Sequence, residues 1–120
     1  MPHGCGVWPA WWTVGPDWPA NGEIDIVEGV HDQSTNQMTL HTAPGCTLST
    51  SLRLSSTVES ADCNVAVNSN TGCAFRDSDL SSYGAGLNAA GGGVFAMLWD
   101  EAGPEIQDQR NRRSEHVGTP

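Results

Sequence analysis

Lysine is absent from this chain of 120 residues, and arginine supplies all 5 of its basic groups. Set against 14 acidic residues, that leaves a formal net charge of -9, which repels a nucleic-acid backbone or an anionic membrane. Long apolar runs are missing as well, since none approaches the ~20 residues a helix needs to cross a bilayer. Nucleic acid and membrane are therefore not expected partners, and a neutral or cationic one is. Tyrosine (1) and phenylalanine (2) are scarce, so the aromatic content rests on 5 tryptophans. Met1-Pro2-His3-Gly4 runs directly into what reads as folded chain, so a preceding segment with the secretion leader is expected in the full protein.

What the sequence does hold is glycine (14), proline (7) and much Ser, Thr and Asn, a composition for short strands joined by turns. An all-β domain is expected. Cys5, Cys46, Cys63 and Cys73 lack the paired short spacing of a zinc site, so two disulfides in an oxidising compartment are the better reading. Three connectivities are open. The Cys63 to Cys73 interval is the easiest loop to close, and one cysteine could also be left without its partner.

Along the chain, Gly6-Val7-Trp8-Pro9-Ala10-Trp11-Trp12-Thr13 is β-prone, with Pro9 suggesting a sheet edge or bulge. Gly15 to Gly22 is turn chemistry. Glu23 to Val30 alternates acid and aliphatic, and Gln37 to Thr42 alternates again, so both read as strands with one polar and one buried face. Residues 43 to 88 are weakly periodic and read as long loops pinned by disulfides, with short strands inside. Val94 to Trp99 is a compact apolar strand. From Pro104 to Pro120 almost nothing asks to be buried, and the expectation is a polar, disordered tail.

The chemistry concentrates in Glu23-Ile24-Asp25-Ile26-Val27-Glu28. In a regular strand Glu23 and Asp25 share a face, while Glu28, five positions on, points the other way. A single β-bulge at Ile26-Val27 restores parity and puts all three acids on one side. Glu23 and Glu28 then stand about four strand steps apart, on the order of 13 Å. Long side chains leaning inward on a concave sheet can close that to the roughly 5 to 5.5 Å of a retaining glycosidase. Crowding must also raise at least one pKa, as a general acid requires. Two other readings stay open: an exposed polar strand face, and a calcium site of hard oxygens from Glu23, Asp25, Glu28 and Asp32. Tryptophans just upstream supply sugar-stacking faces, which favours the glycosidase.

Gly6-Val-Trp-Pro-Ala-Trp-Trp12, the Gly-Pro-Asp-Trp-Pro turn, Gly22-Glu-Ile-Asp-Ile-Val-Glu-Gly29, Met38-Thr-Leu-His-Thr42 and Gly92-Gly-Val-Phe-Ala-Met-Leu-Trp99, in this order, resemble the fungal laminarinase-type members of glycoside hydrolase family 16. The resemblance covers about residues 1 to 103. It implies a β-jelly-roll, a concanavalin A-like sandwich, lacking its outer N- and C-terminal strands. It also implies endo-hydrolysis of β-1,3 or mixed-linkage β-1,3/1,4 glucan with retention, by a secreted monomer needing no cofactor and no metal. By position Glu23 is the nucleophile, Glu28 the acid/base and Asp25 the assisting carboxylate. His41 matches a histidine beside them that tunes their charge. Trp11 and Trp18 are expected to stack on glucosyl rings, Trp99 to line the cleft, and Trp8 and Trp12 to pack in the core. Family members are longer at both ends, so an inactive, carbohydrate-binding remnant is the alternative, with an acidic calcium-binding module third.

Overall fold

The computed structural model describes residues 1–49, 54–101, 103–108 and 113–116. Its strands are β1 (Ala10–Val14), β2 (Glu23–Glu28), β3 (Gln37–His41), β4 (Thr57–Ser60), β5 (Cys73–Arg76), β6 (Phe95–Asp100), β7 (Gly103–Asp108) and β8 (Arg113–His116). A 3-10 turn at Asn68–Asn70 and one short helix, α1 (Gly84–Ala89), complete the regular structure. All named strand pairs are antiparallel. One sheet has the order β1-β2-β3-β5-β4 and the other β6-β7-β8.

Alternation decides which side of the large sheet is core. Leu40 lies opposite Ile24, and Met38 opposite Phe75. Ile24, Met38 and Phe75 are buried with Ile26, Val27, Tyr83 and Ile106 in one cluster, against which Leu40, Phe95 and Met97 pack. Burying a side chain such as the fully enclosed Ile26 is worth about 1.5–3 kcal/mol. The polar residues between them, Gln37, Thr39 and His41, stand in rows with Glu28, Asp25 and Glu23. This is the opposite face, and it carries the site.

Strand β2 is central and β1 is an edge, which explains their contrast. Every residue of β1 is exposed, whereas Ile24 to Val27 are all buried. The strands expected at Glu23 to Val30, Gln37 to Thr42 and Val94 to Trp99 form within two residues of those limits. Between residues 43 and 88 the expected loops hold β4 and β5 and also lead into α1, a helix the weak periodicity had not signalled.

The chain beyond Pro104 departs from expectation where it is described. Asp100 pairs with Gly103, whose φ of 116° lets the chain reverse, and β7 then runs back along the whole of β6. Arg113–His116 pairs with β7 in turn. A polar segment can still form a strand when a neighbour offers free backbone groups and one residue in it has a core to enter. Ile106 does so, with 2% of its surface exposed. Residues 109–112 and 117–120, also expected to be disordered, lie outside the described residues.

One of the two expected disulfides is formed, Cys63–Cys73, while Cys5 and Cys46 are free. The reason is distance along β2. Cys5 sits in a turn whose Gly4 and Gly6 amides bond to His31, beyond the end of β2. Cys46 lines a cavity with Gly22 and Glu23 at the strand's start. A bridge requires Cα atoms within about 7 Å. The Cys63–Cys73 bridge closes a separation of 10 residues, a constraint on the unfolded chain worth about 2–3 kcal/mol. Replacing both cysteines by serine is expected to lower the unfolding free energy by about that much, read as a lower urea midpoint with an m-value that rises as the unfolded chain expands.

Candidate active site

The bulge that parity demanded is present and belongs to β2. Toward β3, Asp25 pairs with Thr39 and Glu28 with Gln37, so three steps on β2 match two on β3. Toward β1, Trp12 pairs with Asp25 and Trp11 with Val27, which skips Ile26. The extra residue turns Glu28 back to the side of Glu23 and Asp25. All three acids line one open pocket of about 290 Å³ with Trp8, Ala10 and Trp12.

The pairing of β1 with β2 sorts the tryptophans, and not as expected. Trp12 stands in the row of Asp25 and lines the carboxylate pocket, as does Trp8. Both are exposed, at 49% and 68%, so neither is core. Trp11 does not line that pocket. It lies in the Val27 row, in a depression shared with Met1, Leu87 and Phe95. Trp18 is exposed in the turn between β1 and β2, outside the carboxylate pocket, and its peptide bond to Pro19 is cis. Trp99 lines a separate apolar cavity between the sheets with Leu40, Leu48 and Pro104, which touches the site only at Glu23. Trp12 follows from simple alternation along β1, two positions from Val14, which pairs with Glu23, and Trp11 takes the other face with Thr13.

Asp25 lies between the two glutamates with 2% of its surface exposed. Burial, then the charge of Glu28, then that of Glu23, and a hydrogen bond with Glu23 push its pKa up to about 8. Crowding thus lifts the middle carboxyl, which keeps its proton at neutral pH and can share it with Glu23. This has a consequence for stability. Between the ordinary value of 3.8 and about 8 the folded chain holds a proton that the unfolded chain releases. Folding therefore loses stability as pH rises through that window and regains it toward pH 4. Asp25→Asn is expected to flatten this slope, measured as the difference in urea midpoint between wild type and variant at pH 4.5 and pH 7.5.

His41 stands opposite Glu23 on β3, with Nε2 3.5 Å from Asp25 Oδ2. Gly72 makes room for it: a Cβ there would come within 2.9 Å of His41 Nδ1 and 2.5 Å of the Leu40 carbonyl. Trp8 Nε1 donates a 2.9 Å hydrogen bond to Glu28 Oε1. Next to Glu28 on the same face, Gln37 accepts from Arg76 Nη2 at 2.7 Å, and Arg76 is in turn paired with Glu59. Trp8, expected in the core, is a site residue, and Tyr83 and Gln37 are supporting residues to which the sequence reading gave no role. The alternation of Gln37 with Met38 was the available signal for the second.

Among the described residues, the trio close enough to share an ion is Glu23, Asp25 and His41, with donor atoms within 4.8 Å of one another. The calcium set considered from sequence does not assemble: Glu28 lies outside that trio, and Asp32 is exposed beside His3 at 3.8 Å. One imidazole and a carboxyl that holds its proton are poor calcium ligands. What the arrangement can do is acid–base and nucleophilic work: two carboxyl groups face one cleft, a neutral carboxyl stands between them, and indole faces form its wall.

The family model described as the XgeA-like catalytic domain of GH16 matches residues 1–112. The chain belongs to glycoside hydrolase family 16. It is 48% identical over 106 residues to a protein of Schizosaccharomyces pombe named as a probable glycosidase, covering 86% of this chain and 25% of that one. It is 44% identical over 97 residues to the endo-1,3(4)-beta-glucanase xgeA of Emericella nidulans, covering 81% and 15%. Its structure superposes on GH16 laminarinase 16A of Phanerochaete chrysosporium, determined with 6-O-glucosyl-laminaritriose in donor and acceptor sites. The TM-score is 0.85 at 43% identity, over 90% of this chain and 37% of that one. The two antiparallel sheets are thus part of the GH16 jelly-roll, and the chain spans between about a seventh and two-fifths of these relatives.

Proposed function

We propose that this chain carries the catalytic strand of a secreted, monomeric, retaining endo-β-glucanase acting on β-1,3 or mixed-linkage β-1,3/1,4 glucans. The observation that carries the reading is the bulged β2, which sets Glu23, Asp25 and Glu28 along one tryptophan-walled pocket. Family membership and the glucanase names of its relatives support the substrate class. The Cys63–Cys73 bridge supports an oxidising, extracellular setting.

Chemically, Glu23 attacks the anomeric carbon while Glu28 protonates the departing glycosidic oxygen, giving a glycosyl-enzyme. Glu28, now a base, takes a proton from water, which attacks from the leaving-group side and restores the β configuration. Asp25 donates to Glu23, a bond that weakens as the Glu23 charge is consumed in the glycosyl ester and re-forms when the carboxylate leaves, and His41 flanks Asp25. Trp8 and Trp12, with Trp18 farther along the chain, offer faces for glucosyl rings.

A second reading, a carbohydrate-binding remnant without turnover, is favoured by the apolar cavity open between the sheets beside the exposed Val14 and Trp99. Incubating the chain with laminarin and with mixed-linkage β-glucan and measuring new reducing ends decides between them. Turnover that Glu23→Gln removes supports the enzyme. Retention of both polymers without cleavage supports the remnant and overturns catalysis by this chain.

A further inference from the structure

A β-bulge leaves backbone groups without cross-strand partners, and buried groups of that kind must be satisfied elsewhere. In β2 the gap falls between the Asp25–Thr39 and Glu28–Gln37 pairs. It contains the Ile26 carbonyl and the Glu28 amide. Both are met by one side chain, that of Asn36, the residue immediately before β3. Asn36 Oδ1 accepts from the Glu28 N–H at 3.0 Å, and Asn36 Nδ2 donates to the Ile26 carbonyl at 2.9 Å. With 1% of its surface exposed, Asn36 is itself fixed from the far side. Its backbone N–H donates to Ser82 Oγ at 2.8 Å, Ser82 Oγ donates to the Asp79 carbonyl at 2.7 Å, and the Asn36 carbonyl accepts from the Asp77 N–H at 2.9 Å.

We infer that Asn36 is the positioning residue for Glu28: its carboxamide closes the bulge of β2 and thereby holds the acid/base side chain on the face of Glu23. The chemistry of the amide is specific to the task. It presents one acceptor and a donor at fixed spacing, matching an N–H and a C=O two residues apart. Alanine offers neither and serine one hydroxyl. Without the amide, the regular ladder, which pairs every backbone group, becomes the better arrangement for β2 and β3. In that ladder Glu28 turns to the other face. The next residue on the same segment reinforces the hold. The Tyr83 hydroxyl lies 2.8 Å from the Gly29 carbonyl, just after Glu28, and 2.6 Å from the Pro9 carbonyl, just after Trp8. Gly29 packs so closely on that ring that a Cβ would meet Tyr83 Cε1 at 2.6 Å.

This inference rests on the proposed role of Glu28, and its test is arranged so that the two can fail separately. Asn36→Ala and Asn36→Ser are made in the full chain. Backbone NMR follows the cross-strand contact between Glu28 and Gln37, and carboxyl ¹³C NMR follows the titration of Asp25, which faces Glu23, Glu28 and His41. Expected in Asn36→Ala are loss of the Glu28–Gln37 contact and a lower Asp25 midpoint, because the Glu28 charge has left its face. Adding Glu28→Gln then moves that midpoint no further, although it lowers it in the wild type. Turnover of laminarin is expected to fall about 100-fold in kcat, the scale of a misplaced general acid, with KM within about threefold. Asn36→Ser is expected to lie between, and it carries the test if Asn36→Ala does not fold. A retained Glu28–Gln37 contact overturns the inference, and so does an Asp25 midpoint that still responds to Glu28→Gln as in the wild type. The NMR arms need no turnover, so a chain that cleaves no glucan removes the proposed function and still leaves the latch decided.

Discussion

Replacing Glu23 by glutamine is expected to reduce laminarin turnover by a factor on the order of 10⁴ to 10⁶, the cost of removing a covalent nucleophile, with little change in fold. Gln has the shape of Glu, and position 23 begins β2 at intermediate burial, so its backbone pairing with Val14 and His41 survives. What is lost is a negative oxygen able to bond to the anomeric carbon. Asp25 cannot take its place, because it is buried and keeps its proton with a pKa of about 8. Removing the Glu23 charge also relieves one of the influences that raise Asp25, so the Asp25 midpoint is expected to fall in the variant. Shortening the side chain to alanine opens a second readout. Azide entering from the vacated side would form an α-glucosyl azide, the configuration opposite to that of the normal product. Residual activity in Glu23→Gln within tenfold of wild type, measured as new reducing ends, would exclude Glu23 as nucleophile.

Much of this site was legible because strand parity is a strict rule. Glu23, Asp25 and Glu28 cannot share a face unless one residue is bulged out, and the apolar pair Ile26-Val27 was the place that allowed it. His41 was carried over from the resemblance, and its place opposite Glu23 agrees with the alternation of Gln37, Thr39 and His41. Assigning Trp8, Trp11 and Trp12 was harder, because Trp11 was carried over from the resemblance and the other two were taken for core, whereas the β1–β2 pairing that sets Trp12 beside Asp25 and Trp11 beside Val27 is a tertiary fact. Asn36 was hidden for a similar reason: it lies outside any strand, and its function depends on two backbone groups of a neighbouring strand. The strands at Gly103–Asp108 and Arg113–His116 were missed because Ile106 is one apolar residue in a polar run, and period-two patterning cannot be recognised from one residue. The first is paired by β6 and the second by the first, not by any preference of their own. The free Cys5 and Cys46 show the same limit, since cysteine count does not report which ends of a strand the thiols occupy.

Glu28→Gln is expected to produce a loss that depends on the leaving group, which is the mark of an acid/base and separates it from Glu23. With laminarin the departing alkoxide needs a proton, and kcat should fall by a factor on the order of 10² to 10⁴. With an aryl glucoside whose phenolate leaves unaided, the first step proceeds and the glycosyl-enzyme accumulates, because no base activates water for the second. Azide, needing no base, should then restore turnover and yield a β-glucosyl azide, the retained configuration. Two features of the structure bear on the size of the effect. Trp8 Nε1 donates to Glu28 Oε1 at 2.9 Å, a bond that Gln can still accept through its carbonyl, so the side chain stays in place and the loss reports chemistry. Glu28 also raises the pKa of Asp25, so the variant should show a lower Asp25 midpoint and a gentler fall of stability with pH between about 4 and 8. A Glu28→Gln variant whose loss is the same for laminarin and for the aryl glucoside, and which azide does not rescue, would remove Glu28 from the acid/base role.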